Sequence, residues 1–294
     1  MTVLEVIQKS TDFLTKKGVD APRLQAELLL AHVLKLPRMK LYLNFERPLI
    51  AAEADAAREL VKRRGQREPL QHITGATSFC GFEIAVNRHV LVPRPETELL
   101  AEAGWKFLLE SALQRVPGRE QPEGWTPTAL DFGTGSGCIA IALAAKCPVA
   151  RITAVDVSAD ALALARENAA RNGVAERIEF LPGDGFSALP AGAGFDLIVS
   201  NPPYIPSHEI ASLQPEVRDF DPRAALDGGV DGLDFYRTLA AQAGEFLKPG
   251  GRVMVEFGDG QADEIKKIFE SQKWIVEAVR DDYSQRQRIL IARR

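Results

Sequence analysis

The sequence is poor in cysteine, lacks long apolar runs and has no strong excess of either charge. Its three cysteines, Cys80, Cys138 and Cys147, are too few and too scattered for a disulfide framework or a metal site. The 4 histidines lack metal-ligand spacing as well, so no metal is expected. No segment reaches the ~20 uninterrupted apolar residues that cross a bilayer, and no signal peptide is visible. We therefore expect a soluble, cytoplasmic protein without a membrane partner.

The formal charge at pH 7 is −4, which disfavours a nucleic-acid partner. This charge is unevenly distributed along the chain. Residues 1–75 carry 13 basic and 9 acidic side chains, whereas the remainder carries 23 and 31. The asymmetry indicates two parts with different roles, although a solvated helical surface explains the same excess. No interface pattern stands out, so a monomer is expected.

The first 68 residues predict a small helical bundle. Apolar residues recur there at helical spacing, and Asp20 is predicted to cap the second helix, with Pro22 in its first turn. Residues 69–93 interrupt this pattern, because β-formers surround Gly75 and Gly81. They predict a β-hairpin that links the bundle to a second domain.

Strand-like and helix-like segments alternate through most of the second domain, residues 94–294. The strand candidates are Ala129–Phe132, Arg151–Val155, Ile178–Leu181, Phe195–Ser200, Arg252–Phe257, Trp274–Val279 and Arg288–Ala292. Proline and glycine over 115–128 predict an exposed loop before the first of them. The alternation predicts an α/β fold with a doubly wound, mostly parallel Rossmann-like sheet of seven strands.

The first of these strands runs into a glycine-rich turn that begins an apolar helix. Its residues are Asp131-Phe132-Gly133-Thr134-Gly135-Ser136-Gly137. Glycines at alternate positions let the backbone approach a ligand closely, and the helix N-terminus offers unpaired N–H groups. Asp156 ends the next strand, 19 residues after the last glycine, where a carboxylate can accept from both ribose hydroxyls of an adenosine group.

The glycine spacing distinguishes between cofactors. A dinucleotide motif would need glycine at position 138, where Cys138 stands, and no lysine follows to form a phosphate loop. The G-x-G-x-G pattern after an acid resembles the first motif of S-adenosylmethionine methyltransferases, whose product is S-adenosylhomocysteine. Asp184, after the third strand, is the candidate partner of the adenine amino group, although acids also form turns at strand ends.

Asn201-Pro202-Pro203-Tyr204 follows the apolar strand at Phe195–Ser200. Two prolines fix the backbone and remove two donors, which leaves carbonyl oxygens free to accept. The Asn201 side-chain oxygen and a neighbouring carbonyl can then bind both hydrogens of an –NH2 group, while Tyr204 offers a ring face to a flat substrate. This arrangement suits methyl transfer to a planar amide-type nitrogen.

At this point the sequence resembles the PrmC/HemK family of release factor glutamine N5-methyltransferases over nearly the whole chain. Its two most specific matching stretches are Val92-Pro93-Arg94-Pro95-Glu96-Thr97-Glu98 and Asp221-Pro222-Arg223-Ala224-Ala225-Leu226-Asp227-Gly228-Gly229. The resemblance implies methylation of the glutamine in the Gly-Gly-Gln motif of class 1 peptide-chain release factors. It also implies that the helical domain, residues 1–68, helps to dock the release factor.

The resemblance also assigns roles to residues. Asn201, Pro202 and Tyr204, with Pro203 in the same turn, would hold the glutamine amide. The glycine loop and Asp156 would hold the cofactor. The segment Arg94–Thr97 would border the cofactor pocket from the linker side, with Arg94 as a candidate substrate contact. One departure is Gly185, where some relatives carry a bulky aromatic residue near the adenine; Phe186 is the candidate that compensates.

Two alternatives remain open on the sequence alone. An adenine-N6 nucleic-acid methyltransferase uses a closely similar Asn-Pro-Pro-aromatic turn, but it must extract a base and usually carries a basic recognition domain. A non-catalytic binding module would keep the fold without turnover. The intact glycine loop and the intact turn at Asn201 argue against that second alternative.

Overall fold

The computed structural model describes residues 1–113 and 126–294, so most of the loop predicted over 115–128 lies outside the described residues. The chain forms two compact units. Unit 1 comprises Met1–Ala76 and Leu213–Phe220, and unit 2 comprises Thr77–Ser212 and Asp221–Arg294. No helix within the described ranges combines the length and apolarity that a membrane crossing requires.

Unit 1 is helical, as the sequence predicts. Its helices are α1 (Val3–Lys16), α2 (Pro22–Leu34), α3 (Arg38–Leu41), α4 (Ala51–Gly65), α5 (Leu70–Thr74) and, from the second half of the chain, α9 (Pro215–Arg218). The prediction that Asp20 caps α2 is wrong. Ala21 occupies the N-cap position with a φ of 46° and no side chain caps the helix, because Pro22 starts it one residue later than the cap requires.

Glu216 fixes α9 within unit 1. Its carboxylate accepts from Arg64 Nη2 at 2.6 Å and from Arg67 Nε and Nη2 at 2.8 and 2.6 Å. Burial raises the pKa of Glu216, but hydrogen bonds from Arg67 and Arg64 outweigh it, so the pKa lies below its ordinary value. The Arg64 guanidinium is itself buried, and this pair therefore anchors a segment that lies far away in the sequence.

The β-hairpin is shorter than the predicted span of 69–93. It consists of β1 (Ala76–Phe79) and β2 (Phe82–Ala85), whereas Leu70–Thr74 form α5. These residues form a helical turn despite their β-propensity because Gly75 ends the turn in a left-handed conformation. Its φ is 81°, and its N–H donates to the Gln71 carbonyl oxygen.

Unit 2 contains the predicted seven-stranded sheet, and the predicted fold class is confirmed. The strands are β3 (Thr128–Phe132), β4 (Arg151–Asp156), β5 (Ile178–Pro182), β6 (Phe195–Ser200), β7 (Leu247–Glu256), β8 (Ile275–Asp281) and β9 (Gln287–Arg293). Their order is β5-β4-β3-β6-β7-β9-β8, with β9 antiparallel to its two neighbours and every other pairing parallel.

Helices cover both faces of this sheet. They are α6 (Pro95–Leu113), α7 (Cys138–Lys146), α8 (Ala159–Arg171), α10 (Asp234–Gln242) and α11 (Ala262–Ser271). One buried cluster packs α6 and α7 against the sheet, and a second packs α10 and α11. The strand order reverses between β3 and β6, which are neighbours, and doubly wound sheets bind ligands at such a point.

Candidate functional site

A cavity of about 300 Å³ lies beyond the carboxyl ends of β3, β4, β5 and β6. Its lining includes most of the residues that the sequence predicts for a site. They are Arg94, Phe132, Gly133, Thr134, Gly135, Ser136, Asp156, Asp184, Gly185, Asn201 and Pro203. The glycine loop and the turn at Asn201 therefore face the same space, because each follows one of two adjacent strands.

The glycine loop is open toward the cavity. Gly133 and Gly135 have φ values of 74° and 54°, and a Cβ atom at either position would meet no protein atom within 4 Å. Gly137 is not part of the cavity lining and instead packs against α8. A Cβ atom on Gly137 would lie 3.0 Å from the Cβ of Ala165 in that helix. Two glycines thus expose backbone to a ligand, and the third permits close packing.

Asp131 holds the loop from behind. Its Oδ2 accepts from the Thr134 hydroxyl at 2.6 Å and from the Ala140 N–H, in the first turn of α7, at 3.1 Å. Burial raises the pKa of Asp131 to about 7, although both hydrogen bonds oppose the rise. A carboxyl group beside the N–H groups that begin a helix orders the turn before any ligand arrives.

Asp156 supports the same loop from the end of β4. Its Oδ2 accepts from the Gly135 N–H at 2.8 Å, and its Oδ1 accepts from the Ser158 N–H at 2.9 Å. A carboxylate has about four acceptor positions, so each oxygen keeps one for a ligand hydroxyl. The side chain lines the cavity, so it can hold the loop and bind a ligand together.

Asn201 and Pro203 border the cavity, whereas Pro202 and Tyr204 do not. Pro202 is buried, and Tyr204 is partly buried against the α10 and α11 side of the core. Burial raises the pKa of the Tyr204 hydroxyl to about 12, so it stays protonated at neutral pH. The Asn201 side-chain Nδ2 donates to Thr97 Oγ1 at 3.1 Å, which leaves its Oδ1 to accept from a ligand.

Sequence comparison identifies the family. Residues 5–75 match the PrmC N-terminal domain and residues 107–214 match the methyltransferase small domain. A release factor glutamine methyltransferase from Geobacter sulfurreducens is 46% identical over 91% of this chain and 88% of its own length. One from Chlorobaculum tepidum is 44% identical over 95% of this chain and 93% of its own. The chain belongs to the release factor glutamine methyltransferase family.

Solved structures share the fold at low sequence identity. A methyltransferase from Pyrococcus furiosus superposes with a TM-score of 0.51 and 20% identity, over 78% of this chain and 98% of its own. The hMettl16 catalytic domain in complex with MAT2A 3'UTR hairpin 6 gives a TM-score of 0.51 and 15% identity, over 82% and 81%. These likenesses support the methyltransferase fold of this family member.

Gly185 lines the cavity, whereas Phe186, the residue expected to compensate for its missing side chain, does not. Phe186 is 5% exposed and lies in the core, with its ring centroid 4.9 Å from that of Phe132 and 5.0 Å from that of Phe246. A Cβ at Gly185 would lie 2.7 Å from Phe132 Cζ. The Phe132 ring, which lines the cavity, therefore occupies the space beside Gly185, and Phe186 supports it from the core.

Arg94 lines the cavity and is paired. Its Nη2 donates to Asp221 Oδ2 at 2.8 Å, and the Asp221 side chain is buried. Burial raises the pKa of Asp221 to about 6, and the positive charge of Arg94 is the main factor that opposes this rise. The pair joins the two stretches on which the resemblance in the sequence rests, and Pro222, next to Asp221, lines the cavity.

The sequence left the roles of two side chains, Thr97 and Glu256, undecided. Thr97 is 3% exposed and receives the hydrogen bond from Asn201. Glu256 ends β7, a position where an acid could support the site or be solvated, and it is only 2% exposed. Burial raises the pKa of Glu256 to about 7, and the nearby Thr97 side chain opposes part of that rise. The solvated interpretation is therefore wrong.

Proposed function

We propose that this protein transfers a methyl group from S-adenosylmethionine to the side-chain amide nitrogen, N5, of the glutamine in the Gly-Gly-Gln motif of class 1 release factors. The observation that carries the proposal is that Asn201 and Pro203 line the same cavity as the glycine loop. Family membership supports the choice of a release factor as the substrate.

The cavity residues fit an adenosine cofactor. Side chains at Gly133 or Gly135 would project into the cavity, so their absence leaves room for a ligand against the backbone. In our proposal the loop Gly133–Gly137 and Asp156 hold this cofactor, while Asp184 lies at the position for its adenine. When bound, S-adenosylmethionine supplies a methyl group that the sulfonium has already activated.

The turn at Asn201 then orients the substrate nitrogen. An amide nitrogen is a poor nucleophile because its lone pair is conjugated with the carbonyl group. Asn201 Oδ1 and a carbonyl oxygen of the proline turn would accept its two hydrogens and favour the positive charge that develops. Pro202 and Pro203 keep that turn rigid, and Tyr204 is proposed to place its ring against the amide. The task of these residues is alignment.

The release factor is the proposed macromolecular partner. We assign its docking partly to the helical segment 1–68, and we propose a cytoplasmic monomer that does not act on nucleic acid or membranes. Arg94 is proposed to contact the substrate, although its guanidinium already binds Asp221. The linker assignment 69–93 and the methyltransferase domain 94–294 remain part of this proposal.

Mass spectrometry of a release-factor digest tests the function directly. Purified protein is incubated with S-adenosylmethionine and a class 1 release factor, in parallel with a release factor whose tripeptide glutamine is replaced by alanine. We expect one added methyl group on that glutamine and none on the alanine control. Methylation of adenine in nucleic acid, with none on release factor, would overturn the proposal in favour of the adenine-N6 alternative.

A further inference from the structure

The Gln261 side chain bridges two backbone groups of opposite polarity. Its Nε2 donates to the Tyr204 carbonyl oxygen at 2.9 Å, and its Oε1 accepts from the Gly258 N–H, also at 2.9 Å. Gln261 lies directly before α11, whereas Tyr204 ends the turn that begins at Asn201 and is 57 positions away. One amide group therefore ties the loop after β7 to the proposed substrate-binding turn.

Two glycines provide the space for this amide group. A Cβ atom on Gly232 would lie 2.8 Å from Gln261 Nε2 and still closer to the Tyr204 carbonyl oxygen. A Cβ atom on Gly258 would lie 2.9 Å from Gln261 Oε1 and 3.0 Å from Tyr204 Cδ2. Because neither glycine has a side chain, the amide can lie directly against the backbone of the turn.

The two partners determine the orientation of the amide. A backbone N–H can only donate and a carbonyl oxygen can only accept, so Oε1 faces Gly258 and Nε2 faces Tyr204. An ionised glutamate at position 261 would have the same shape, but its carboxylate could only accept. It would keep the hydrogen bond from Gly258 and lose the one to Tyr204, so a substitution can separate the two.

The turn at Asn201 depends on donors from other parts of the chain. Its two prolines have no N–H groups, so they cannot donate hydrogen bonds that would anchor it. At its first residue, Asn201 Nδ2 donates to Thr97 Oγ1, and at its last residue, the Tyr204 carbonyl oxygen accepts from Gln261. The turn is thus held at both ends by side chains that lie far away in the sequence.

Helix capping does not account for Gln261. This residue occupies the N-cap position of α11, but its side chain makes no capping hydrogen bond to that helix. Serine, threonine, asparagine and aspartate suit the N-cap position, because their short side chains accept from the N–H groups of the first turn. The longer amide of Gln261 reaches Tyr204 instead.

We infer that Gln261 is a positioning residue, which fixes the Tyr204 end of the turn and so keeps Asn201 aligned with the proposed cofactor site. Gln261 is not part of the cavity lining, so it acts through the turn. The inference rests on the proposed function, because this alignment matters to the reaction only if the turn binds the substrate –NH2 group.

Two substitutions at Gln261 test the inference. Gln261→Glu keeps the acceptor for the Gly258 N–H but offers no donor to Tyr204, and Gln261→Met removes both hydrogen bonds at similar length. We expect kcat for release-factor methylation to fall about 10-fold in both variants, because both lack the donor. The affinity for S-adenosylhomocysteine, measured by calorimetry, should stay within about threefold of wild type.

Gln242→Glu, at an exposed glutamine of α10, is the matched control and should behave as wild type. Circular dichroism checks that each variant is folded, and Gln261→Met carries the test if Gln261→Glu is not. Unchanged kcat in Gln261→Glu would overturn the inference, since the hydrogen bond to Tyr204 would then be dispensable.

A double variant separates positioning from general damage. If Gln261 acts by aligning Asn201, adding Gln261→Met to Asn201→Ala should lower kcat by less than about twofold, because the aligned group is already missing. A merely structural role would lower kcat by the same factor in both backgrounds. That additive result would also overturn the inference.

Hydrogen exchange of the free protein, followed by NMR, gives a readout that needs no turnover. The Ile205 N–H, directly after the turn, donates to the Leu226 carbonyl oxygen. Its exchange with water should be about 10-fold faster in Gln261→Glu than in the wild type and unchanged in Gln242→Glu. Identical exchange in all three proteins would overturn the inference even if methylation were strong. Faster exchange in Gln261→Glu, in a protein that never methylates a release factor, would sustain the role of Gln261 in the turn and refute the proposed function instead.

Discussion

The carbonyl oxygen of Pro203 lies only 2.8 Å from the position that a Cβ atom on Gly228 would occupy. The Cα of Gly232 crowds the same position, also at 2.8 Å. Two backbone hydrogen bonds hold these two segments together. The Ile205 N–H donates to the Leu226 carbonyl oxygen, and the Gly228 N–H donates to the Ile205 carbonyl oxygen. The stretch that ends at Gly229 thus lies directly against the turn at Asn201.

Gly228→Ala should displace this turn. Both crowding atoms belong to the backbone and cannot rotate away, so we expect a loss of about 1–3 kcal/mol in the free energy of unfolding and a fall in kcat. Urea denaturation and methylation kinetics measure the two effects. Gly194→Ala is the control, since its Cβ would lie 3.4 Å from a flexible lysine side chain. Equal behaviour of the two variants would contradict the packing argument.

Asn201→Ala should separate catalysis from cofactor binding. Loss of the acceptor for the substrate –NH2 group is expected to lower kcat by about 10²–10³-fold, as for other groups that stabilise developing charge. The affinity for S-adenosylhomocysteine should change little, because the glycine loop and Asp156 supply the proposed cofactor contacts. A comparable loss of cofactor affinity, measured by calorimetry, would show that Asn201 has a different role.

Asp131→Asn should alter how stability depends on pH. The pKa of Asp131 in the folded protein is raised to about 7, above its ordinary value of 3.8. The folded state therefore binds the proton more tightly, and the resulting stabilisation is complete below pH 3.8 and is lost as pH rises through 7. The variant lacks this term. Unfolding midpoints in urea from pH 4.5 to 8 should show the wild type losing stability relative to the variant, whereas parallel curves would contradict the assignment.

Glu216→Ala should destabilise unit 1. It leaves the buried Arg64 guanidinium without its carboxylate, and breaking such a pair costs about 3–5 kcal/mol when both partners are fully buried. Glu216 keeps some exposure, so we expect about 2 kcal/mol, measured by thermal or urea unfolding. The lowered pKa of Glu216 means that its contribution is present above its ordinary value of 4.5 and is lost as pH falls further. Glu209→Ala, at an exposed acid, should leave stability unchanged.

The local patterns of the sequence predicted the strands, the glycine loop and the turn at Asn201. Each of these depends on residues that are adjacent in the chain, such as alternate glycines before an apolar helix. The burial of Glu256 could not be predicted in this way, because it depends on how distant segments pack. The hydrogen bond from Asn201 to Thr97 could not be predicted either, because it joins residues that are 104 positions apart. Secondary-structure propensity also placed Leu70–Thr74 in the β-hairpin, whereas these residues form α5, which Gly75 caps in a left-handed conformation.

The chain leaves the turn at Asn201, contributes Leu213–Phe220 to the helical unit and returns at Asp221 to the rim of the cavity. Deleting the first 76 residues would therefore remove only part of the helical unit. Such a fragment would retain Glu216 without Arg64 and Arg67, and the stretch between Tyr204 and Asp221 would lose its anchorage. The front unit therefore does not end at one junction in the chain, because its last piece is encoded far downstream, between two parts of the other unit.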